Sequence, residues 1–591
     1  MRSKILLSFL LTVLFVLANG CGTQKNCPVC GTTVHDGYGI IDIIPVPEHN
    51  PTGEPGGPFN SFDISVTDSV NHRFYVSDRI GLDVVVVDTI NNLAVNIITG
   101  DNGVAGAGDN PAHCITDAAG NDIIPPMVTG LGNFTRFGCR TAPPGIAFPF
   151  HIPGFMNNGH LGGFPGAQCC AARANGVNPL SAPDGEALTA DGKTLFVSNG
   201  SSSVVVFDLT TTPPTVIADV PTGQSPDYDG CAATPCGPGG VGGTPNPSGI
   251  APCIASANGR AFSDPTCGDL RADEISYDET DKILLVANGD PGFPFVTLVD
   301  MSHVVGRTGT TQQQHCLPAT PNQPYGPTNF PTCILGQIYY DGAPANNIGV
   351  TVDNQLGTPA GDFPCPDAST TAPSGVSGTA SAATGGRDVP CHHGPFNSTF
   401  GSTTIALAGI GGSAFNPNTG HFLVTNGNAT TDLTVGTVDE IDPKGANGPV
   451  VVNSFITPNC MPTSIVQGPG NNFLVGCADH DGEAFPPNEY VIDGSSGNIL
   501  ATITNVGGVD ETWYNPGDNR YYLAARDMPG GPVLGVIDAK TNQWLQNVPT
   551  NANSHSVAVD SGNNHVFVPL QAGAPCTTQS ANGCIGVYAQ Q

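Results

Sequence analysis

One pattern of hydrophobic and polar positions recurs along the chain. A short β-branched run is followed by a turn and by a second apolar run that ends in Asp, as in LFVSNGSSSVVVFD, which ends at Asp208. Similar stretches include FYVSDRIGLDVVVVD, ILLVANGDPGFPFVTLVD and YYLAARDMPGGPVLGVID. Each has an apolar segment upstream and most have another downstream, such as EALTAD and TVIADV around the quoted stretch. Short β-branched runs between turn residues predict units of four strands.

Seven such units predict an all-β fold, a seven-bladed β-propeller. The last unit ends after its third strand, at IGVYA, and the segment GIIDIIPV (Gly39 to Val46) lies ahead of the first unit. This N-terminal segment can supply the missing fourth strand of the last blade and close the ring without an open sheet edge. Two β-sandwiches are the alternative fold, but they explain the repeated Asp poorly.

The stretches FYVSD, LFVSN, LLVAN and FLVTN resemble the motif of the YVTN-type family of seven-bladed β-propellers. The resemblance covers the strands of the repeat and implies the propeller fold. Members of this family range from surface proteins to lactonase-like enzymes, so the resemblance leaves the function open.

The N-terminus has the features of an export signal. Arg2 and Lys4 precede an apolar run, Ile5 to Leu17, that is too short for an ordinary membrane span. The following residues up to Cys21 resemble a bacterial lipoprotein signal, which implies cleavage before a lipidated cysteine. The expected organisation is a signal peptide over 1–20, a lipidated Cys21 and tether over 21–36, and a propeller over 37–591.

This signal predicts an extracytoplasmic protein that is anchored by lipid to a bacterial membrane, with the outer membrane or the cell surface favoured. A secreted or periplasmic protein is the alternative. The formal charge of −31, from 49 acidic and 18 basic residues, argues against binding to nucleic acid or to an anionic membrane surface. The lipid is therefore the expected membrane contact.

Three insertions interrupt the repeat, over residues 101–183, 224–271 and 303–410, and each contains four of the 19 cysteines. Cysteines at this density in an exported chain predict disulfides, two within each insertion. Further expected pairs are Cys460–Cys477, Cys576–Cys584 and Cys27–Cys30. Because the insertions connect a fourth strand to the next first strand, we expect them to cap one face of the propeller and to shape a binding site there.

The first residues of the seven innermost strands are expected to meet at the mouth of the central channel on that face. They are Asp63, Glu186, Asp273 (or Glu274), Gly411, Thr463, Asp510 (or Glu511) and His555. Carboxylates that converge in one channel repel each other unless a cation lies among them, so Asp63, Glu186, Asp273 and Asp510 predict a site for Ca²⁺, another divalent cation or a cationic ligand. The alternative is that these residues cap strand ends and bind water.

Two other groups of residues are weaker candidates for cation binding. The segment CADHDGEAFPPNE contains Asp479 and Asp481, but the full spacing of a calcium loop is absent, which favours a solvated loop. His392 and His393 in the third insertion, with His151 and His160 in the first, are a possible set of transition-metal ligands. There is no CxxCH motif, so covalent c-type haem is not expected.

The sequence thus favours a binding or interaction module that meets a ligand or protein through its capped face. The alternative is a cation-dependent enzyme of lactonase or hydrolase type. In that enzyme the cation would polarise a carbonyl group, and His555 would be the general base. A metal-linked redox partner is a third, weaker interpretation.

Overall fold

The structure is a computed structural model. It describes residues 37–46, 59–79, 83–95, 152–153, 155–157, 160–162, 183–199, 203–211, 214–222, 272–289, 295–306, 332–340, 378–380, 389–393, 397–400, 403–428, 435–446, 448–478, 487–578 and 582–591. Within these ranges the chain is almost entirely β-structure, and the strands form seven sheets, the blades of a β-propeller. Each blade is described below from its innermost to its outermost strand.

The chain begins with β1 (Tyr38–Pro45) and continues into blade 1, which contains β2 (Phe62–Asp68), β3 (Arg73–Asp78), β4 (Asp83–Asp88) and β5 (Leu93–Ala94). Three short strands follow, β6 (Ile152–Pro153), β7 (Phe155–Asn157) and β8 (His160–Gly162). Blade 2 contains β9 (Pro183–Leu188), β10 (Thr194–Asn199), β11 (Ser203–Asp208) and β12 (Thr215–Pro221). Blade 3 contains β13 (Ala272–Asp278), β14 (Ile283–Asn288), β15 (Phe295–Asp300) and β16 (Ile334–Tyr339).

After blade 3 come β17 (Gly378–Ala380), β18 (Val389–His393) and β19 (Asn397–Phe400). Blade 4 contains β20 (Thr403–Asn416), β21 (His421–Asn428), β22 (Val435–Asp442) and β23 (Val450–Pro458). Blade 5 contains β24 (Met461–Gln467), β25 (Asn472–Ala478), β26 (Glu489–Asp493) and β27 (Ile499–Ile503). Blade 6 contains β28 (Glu511–Asn515), β29 (Arg520–Ala525), β30 (Val533–Asp538) and β31 (Gln543–Pro549). Blade 7 contains β32 (Ala558–Asp560), β33 (His565–Leu570) and β34 (Cys584–Gln590), with a 3₁₀ turn at Cys576–Thr578.

The two ends of the chain close the ring, as the sequence predicts. β1 is antiparallel to β34, in a register that runs from Tyr38 opposite Gln590 to Pro45 opposite Cys584, and it is the outermost strand of blade 7. The side chain of Gln546 fixes this strand against blade 6, since its Oε1 accepts from the Tyr38 N–H at 2.7 Å and its Nε2 donates to the Tyr38 carbonyl at 3.0 Å. The seam is thus held by main-chain pairing within one blade and by side-chain contacts to the next.

The hydrophobic core lies between neighbouring blades. In β4, Val84 and Val86 pack with residues of blade 2, whereas Val85 and Val87 pack with residues of blade 7. Successive side chains of a strand point to opposite faces, and both faces of each blade are covered. For this reason the middle strands contain continuous apolar runs such as VVVV, and not an alternation of apolar and polar residues.

The repeated Asp at the end of each third strand has a local structural role. In blades 1 to 6 its Oδ1 accepts a hydrogen bond from the N–H two residues further on, at 2.8 to 3.1 Å. The residues are Asp88, Asp208, Asp300, Asp442, Asp493 and Asp538. An Asp side chain that bonds its own backbone in this way stabilises the turn before the fourth strand.

Two of the predicted disulfides are present. Cys460–Cys477 links blade 5 to the end of blade 4, with Cα atoms 5.1 Å apart, and Cys576–Cys584 closes a loop in blade 7, with Cα atoms 5.5 Å apart. Cys333, in the third predicted insertion, is also disulfide-bonded. Cys21, Cys27 and Cys30 lie outside the described residues.

The described parts of the insertions add strands to the outer edges of blades 1 to 3. β8 pairs with the first half of β4, β6 pairs with β12, and β18 runs parallel to β16. Two boundaries differ from the sequence prediction: β16, the fourth strand of blade 3, lies inside the predicted insertion 303–410, and β20, the innermost strand of blade 4, begins inside it at Thr403. A long connection separates β15 from β16, so the spacing of the repeat does not predict β16 at this place. In the described ranges, no helix has the length and apolarity needed to cross a membrane.

Candidate functional site

The innermost strands of blades 1 to 5 share a β-bulge near their first residues, at the mouth of the channel. In each, one extra residue stands opposite the end of the second strand, as between Phe62 and Ser65 in β2. The residues that begin these bulges are Asp63, Asp184, Asp273, Gly411 and Thr463. The strand registers of blades 6 and 7 place Asp510 and His555 at the corresponding level. A bulge redirects side chains, and here it turns one residue per blade toward the channel.

In blade 2 the residue at this level is Asp184, not Glu186, which the sequence had placed there. Glu186 lies two residues further along β9, past the bulge, and its Oε1 accepts a hydrogen bond of 3.0 Å from the Ser77 hydroxyl of blade 1. Burial raises the pKa of Glu186 well above its usual value, against the effects of Ser77 and the Val66 N–H. Glu186 is thus a buried polar contact between blades 1 and 2, where its raised pKa favours the protonated form, and not a member of the mouth.

Three carboxylates meet at the mouth. Asp63, Asp184 and Asp273 belong to blades 1, 2 and 3, and each offers one oxygen that lies within 4.8 Å of those of the other two. All three residues are buried. Such a group would be strongly repulsive if nothing compensated it, because buried like charges are poorly screened.

Arg79 compensates part of this charge. It directly follows β3, and its guanidinium binds Asp63 Oδ2 through Nη2 and Asp184 Oδ1 through Nε. Its side chain is 8% exposed, so the contact is a buried ion pair between blades 1 and 2.

Blade 6 contains a second arginine at the equivalent position. Arg526 directly follows β29, and its Nη1 lies 2.9 Å from Asp510 Oδ2. The side chains of Arg526 and Asp510 are 35% and 27% exposed, so this pair is half in solvent. The structure therefore places Asp510 in an ion pair rather than with the three buried carboxylates.

His555 borders the carboxylate cluster from blade 7. Its ring stacks on Phe62, with centroids 5.0 Å apart, and its Nε2 lies 3.4 Å from Asp63 Oδ1. Burial, the largest cause, lowers the pKa of His555 to about 4; Arg526 and Arg79 also lower it, while Asp510 raises it. His555 therefore does not titrate near neutral pH, which removes the reason for its assignment as a general base, since an imidazole of such low pKa is a weak one.

A pair of glutamates completes the mouth across the channel. Glu511 in blade 6 is hydrogen-bonded to Glu274 in blade 3. Burial and the negative charge of Glu274 raise the pKa of Glu511 well above its usual value. Contact between two carboxyl groups favours a shared proton over ionisation of both.

The remaining sequence candidates are not brought to this site by the described residues. Asp479, Asp481 and His151 lie outside those residues. The backbone places His160 in β8 at the edge of blade 1, and His392 and His393 in β18 at the edge of blade 3.

Sequence reasoning missed Asp184, Arg79 and Arg526. A signal for the arginines was available, because two of only 18 basic residues directly follow second strands, in FYVSDR and YYLAAR. For Asp184 the turn of blade 2 misleads, because Asp191 in EALTAD resembles Asp68 in DISVTD, whereas Thr189 is the residue that corresponds to Asp68 in the strand register.

Comparisons with known proteins add no functional assignment. No protein-family model matches the chain, and no curated protein matches it. The solved structure of Kuenenia stuttgartiensis hydrazine synthase is similar at 12% identity over 91% of this chain and 96% of that one, with a TM-score of 0.41. A crystal structure of the mitotic checkpoint complex is similar at 8% identity over 96% of this chain and 97% of that one, with a TM-score of 0.40. The function must therefore be argued from the residues of the site.

Replacing Glu186 by Gln tests its assignment as a protonated structural residue. Because the folded-state pKa of Glu186 is raised, its contribution to stability is complete below its unfolded pKa of about 4.5 and is lost as pH rises through the folded value. Gln mimics the protonated form at every pH. We expect the free energy of unfolding of Glu186→Gln to rise relative to the parent between pH 5 and pH 8, by at least about 1 kcal/mol, in urea titrations. Identical pH profiles would contradict the assignment.

The two equivalent arginines provide a matched pair of variants. Arg79→Gln leaves two buried carboxylates without their counter-charge, so we expect a loss of about 3–5 kcal/mol in the free energy of unfolding. Arg526→Gln breaks a half-exposed pair at the same position of another blade, and we expect a loss of no more than about 1 kcal/mol. Urea denaturation of both variants measures the difference. Equal losses of unfolding free energy in the two variants would show that the buried pair stabilises the protein no more than the half-exposed pair.

Proposed function

We propose that this protein is a binding module and that its ligand enters the mouth of the propeller channel and is positively charged. The observation that carries the proposal is the convergence of Asp63, Asp184 and Asp273 on one point beside His555. A metal ion and an organic ammonium group are both positively charged, as the ligand of this site is proposed to be. The proposal covers both, and the experiment below separates them.

The balance of charge supports a cationic ligand. Three buried carboxylates meet at the mouth, Arg79 binds two of them, and the glutamate pair brings further carboxyl groups from across the channel. Arg526 is already matched by Asp510. A cation that enters such a partly dehydrated channel interacts more strongly with the carboxylates than it would in water.

Binding is favoured over the hydrolase function because His555, the base expected for that function, is not suited to neutral pH. His555 has a pKa of about 4 and its side chain is 4% exposed, so it is poorly placed to accept a proton from a water molecule of the channel. Its neutral imidazole is, however, in the protonation state that ligates cations. His555 therefore weakens the catalytic interpretation and supports the binding of a cation.

The partner is expected to approach through the face that holds the mouth. β8 and β18, from the first and third insertions, add to blades 1 and 3 beside the mouth-side ends of β4 and β16. These strands border the same side of the ring as the carboxylates of blades 1 to 3. They support the proposal that the insertions shape access to the site.

We also propose an extracytoplasmic location with a lipid anchor at Cys21. The disulfides Cys460–Cys477 and Cys576–Cys584 support an oxidising compartment, where such bonds persist. Labelling of bacterial cells that express the protein with radioactive palmitate should yield a labelled product. A Cys21→Ser variant should lose the label. A parent protein that carries no label would refute the anchor, while periplasmic or secreted protein would remain the alternative.

Binding is tested by calorimetry with the purified, chelator-treated protein and a panel of Mn²⁺, Zn²⁺, Ca²⁺ and 1,4-diaminobutane. We expect at least one cation to bind at one equivalent. Asp273→Asn should weaken that binding at least about tenfold, because it removes one of three close charges. Asp191→Asn is the matched control, since it removes the same charge from an exposed turn at the opposite end of blade 2. Absence of binding by every member of the panel, or equal effects of the two variants, would refute the proposal.

A further inference from the structure

Exposed large apolar side chains concentrate at the end of the propeller that lies opposite the mouth. A fourth strand begins where the third strand ends, at that end of the blade. In blades 5, 6 and 7 the exposed side chains lie in the first half of the outermost strand, β27, β31 or β1, with exposed fractions from 36% to 50%. We call this group the apolar arc, and its members are Ile499, Leu500, Trp544, Leu545, Ile40 and Ile41.

The apolar arc is continuous from blade to blade. Asn547 in β31 donates a hydrogen bond of 2.8 Å to the carbonyl of Asn505, which follows β27, and Gln546 in β31 is bonded to the main chain of Tyr38 in β1. A contiguous apolar surface, unlike a single exposed side chain, indicates an interaction site. The other exposed large apolar side chains among the described residues lie at the same end of blade 1 and are Val70, Ile90 and Leu93.

The apolar arc is almost free of charge, although the chain is strongly acidic. β27, β31 and β1 together contain one charged residue, Asp42. Trp544 is 38% exposed, and its Nε1 donates to Asn547 Oδ1 at 2.9 Å. Tryptophan is enriched where a membrane meets water, because its ring is apolar and carries one polar group. The surface therefore suits a lipid layer without net charge, since the formal charge of −31 opposes binding to an anionic one.

The N-terminal part of the chain joins the propeller at the same end. Tyr38 begins β1 opposite Gln590, the last residue of β34, and its hydroxyl lies 3.0 Å from Asp518 Oδ2 in the turn between β28 and β29. The residues from Cys21 to Gly37 span at most about 55 Å when fully extended. A lipid on Cys21 would hold this end of the propeller near a membrane.

We propose that the apolar arc is a membrane-contact surface, on which the anchored protein rests against a zwitterionic lipid layer while the channel mouth points away from it. This inference rests on the lipid anchor at Cys21 that is part of the proposed function. The anchor confines the protein to the membrane, and the arc adds shallow burial of apolar side chains in the headgroup region. The mouth then faces the solvent, from which its ligand enters.

The two tryptophans of the chain allow a test on the full-length protein. Trp544 lies on the apolar arc, whereas Trp513 in β28 packs against buried residues of blades 1, 2, 6 and 7. The parent protein is purified from bacterial membranes, reconstituted into phosphatidylcholine vesicles with or without brominated acyl chains, and isolated by flotation. We expect bromination to remove at least about one fifth of the tryptophan emission of the parent and none of the emission of Trp544→Phe.

A matched variant tests the direction of the mouth. Pro529→Trp in the Trp544→Phe background places the indole in the exposed loop between β29 and β30, at the mouth of the channel. We expect its emission to be the same in both kinds of vesicle. A loss as large as that of the parent would refute the proposed orientation.

The other outcomes separate the membrane contact from the anchor. If the parent floats with the vesicles and bromination leaves its emission unchanged, the contact is refuted while the anchor stands. If the parent does not float, the anchor and the contact both fall, and cation binding at the mouth is unaffected. Light scattering of the parent in detergent should show a monomer. A dimer that Leu545→Glu converts into a monomer would assign the arc to a second copy of the chain and refute the membrane contact.

Discussion

Closure of the ring by β1 and β34 is the constraint on which the site depends. Once the last blade is completed by the N-terminal strand, seven innermost strands must share one axis, and residues far apart in sequence meet there. Neighbouring innermost strands lie so close together that some positions have no room for a side chain. A Cβ atom on Gly185 would overlap the carbonyl oxygen of Asp273 in the next blade, and one on Gly411 would lie 2.5 Å from the carbonyl oxygen of Thr463. Glycine at these positions allows adjacent bulges to touch.

Hydroxyl groups then fix the bulges of neighbouring blades to each other. Ser198 Oγ accepts from the Gly185 N–H and donates to the Asp273 carbonyl, both at 2.5 Å. Thr425 Oγ1 is 3.2 Å from both the Gly412 and the Thr463 carbonyl oxygens and repeats the arrangement between blades 4 and 5. Because these bonds hold the backbone on which the carboxylates stand, the geometry of the mouth is set by main-chain contacts rather than by flexible loops.

This dependence explains what could be predicted from the sequence. The strands, the turn at residues such as Asp208 and the role of β1 follow from local patterns, because each unit repeats the same alternation of apolar runs and turns. The mouth residues Asp63, Asp273 and His555 were identified by counting back from each turn. Asp184 was missed because the sequence pattern matches Asp191 to Asp68, whereas Thr189 holds that place in the register of blade 2. The raised pKa of Glu186 and the pairing of Arg79 depend on neighbouring blades, which the repeat alone does not describe.

The cluster also shows how a propeller can bury charge without losing its fold. Two of the carboxylates share one guanidinium, so the cost of dehydrating them is offset between blades 1 and 2, while burial raises the pKa of Glu186 and so favours its uncharged form. The side chain that faces the second oxygen of Asp63, from blade 7, is the imidazole of His555. A structural role alone would favour a second arginine at that position, as blade 6 has beside Asp510. An imidazole whose Nε2 has no hydrogen-bond partner among the described residues is understandable beside Asp63 when a cationic ligand lies there.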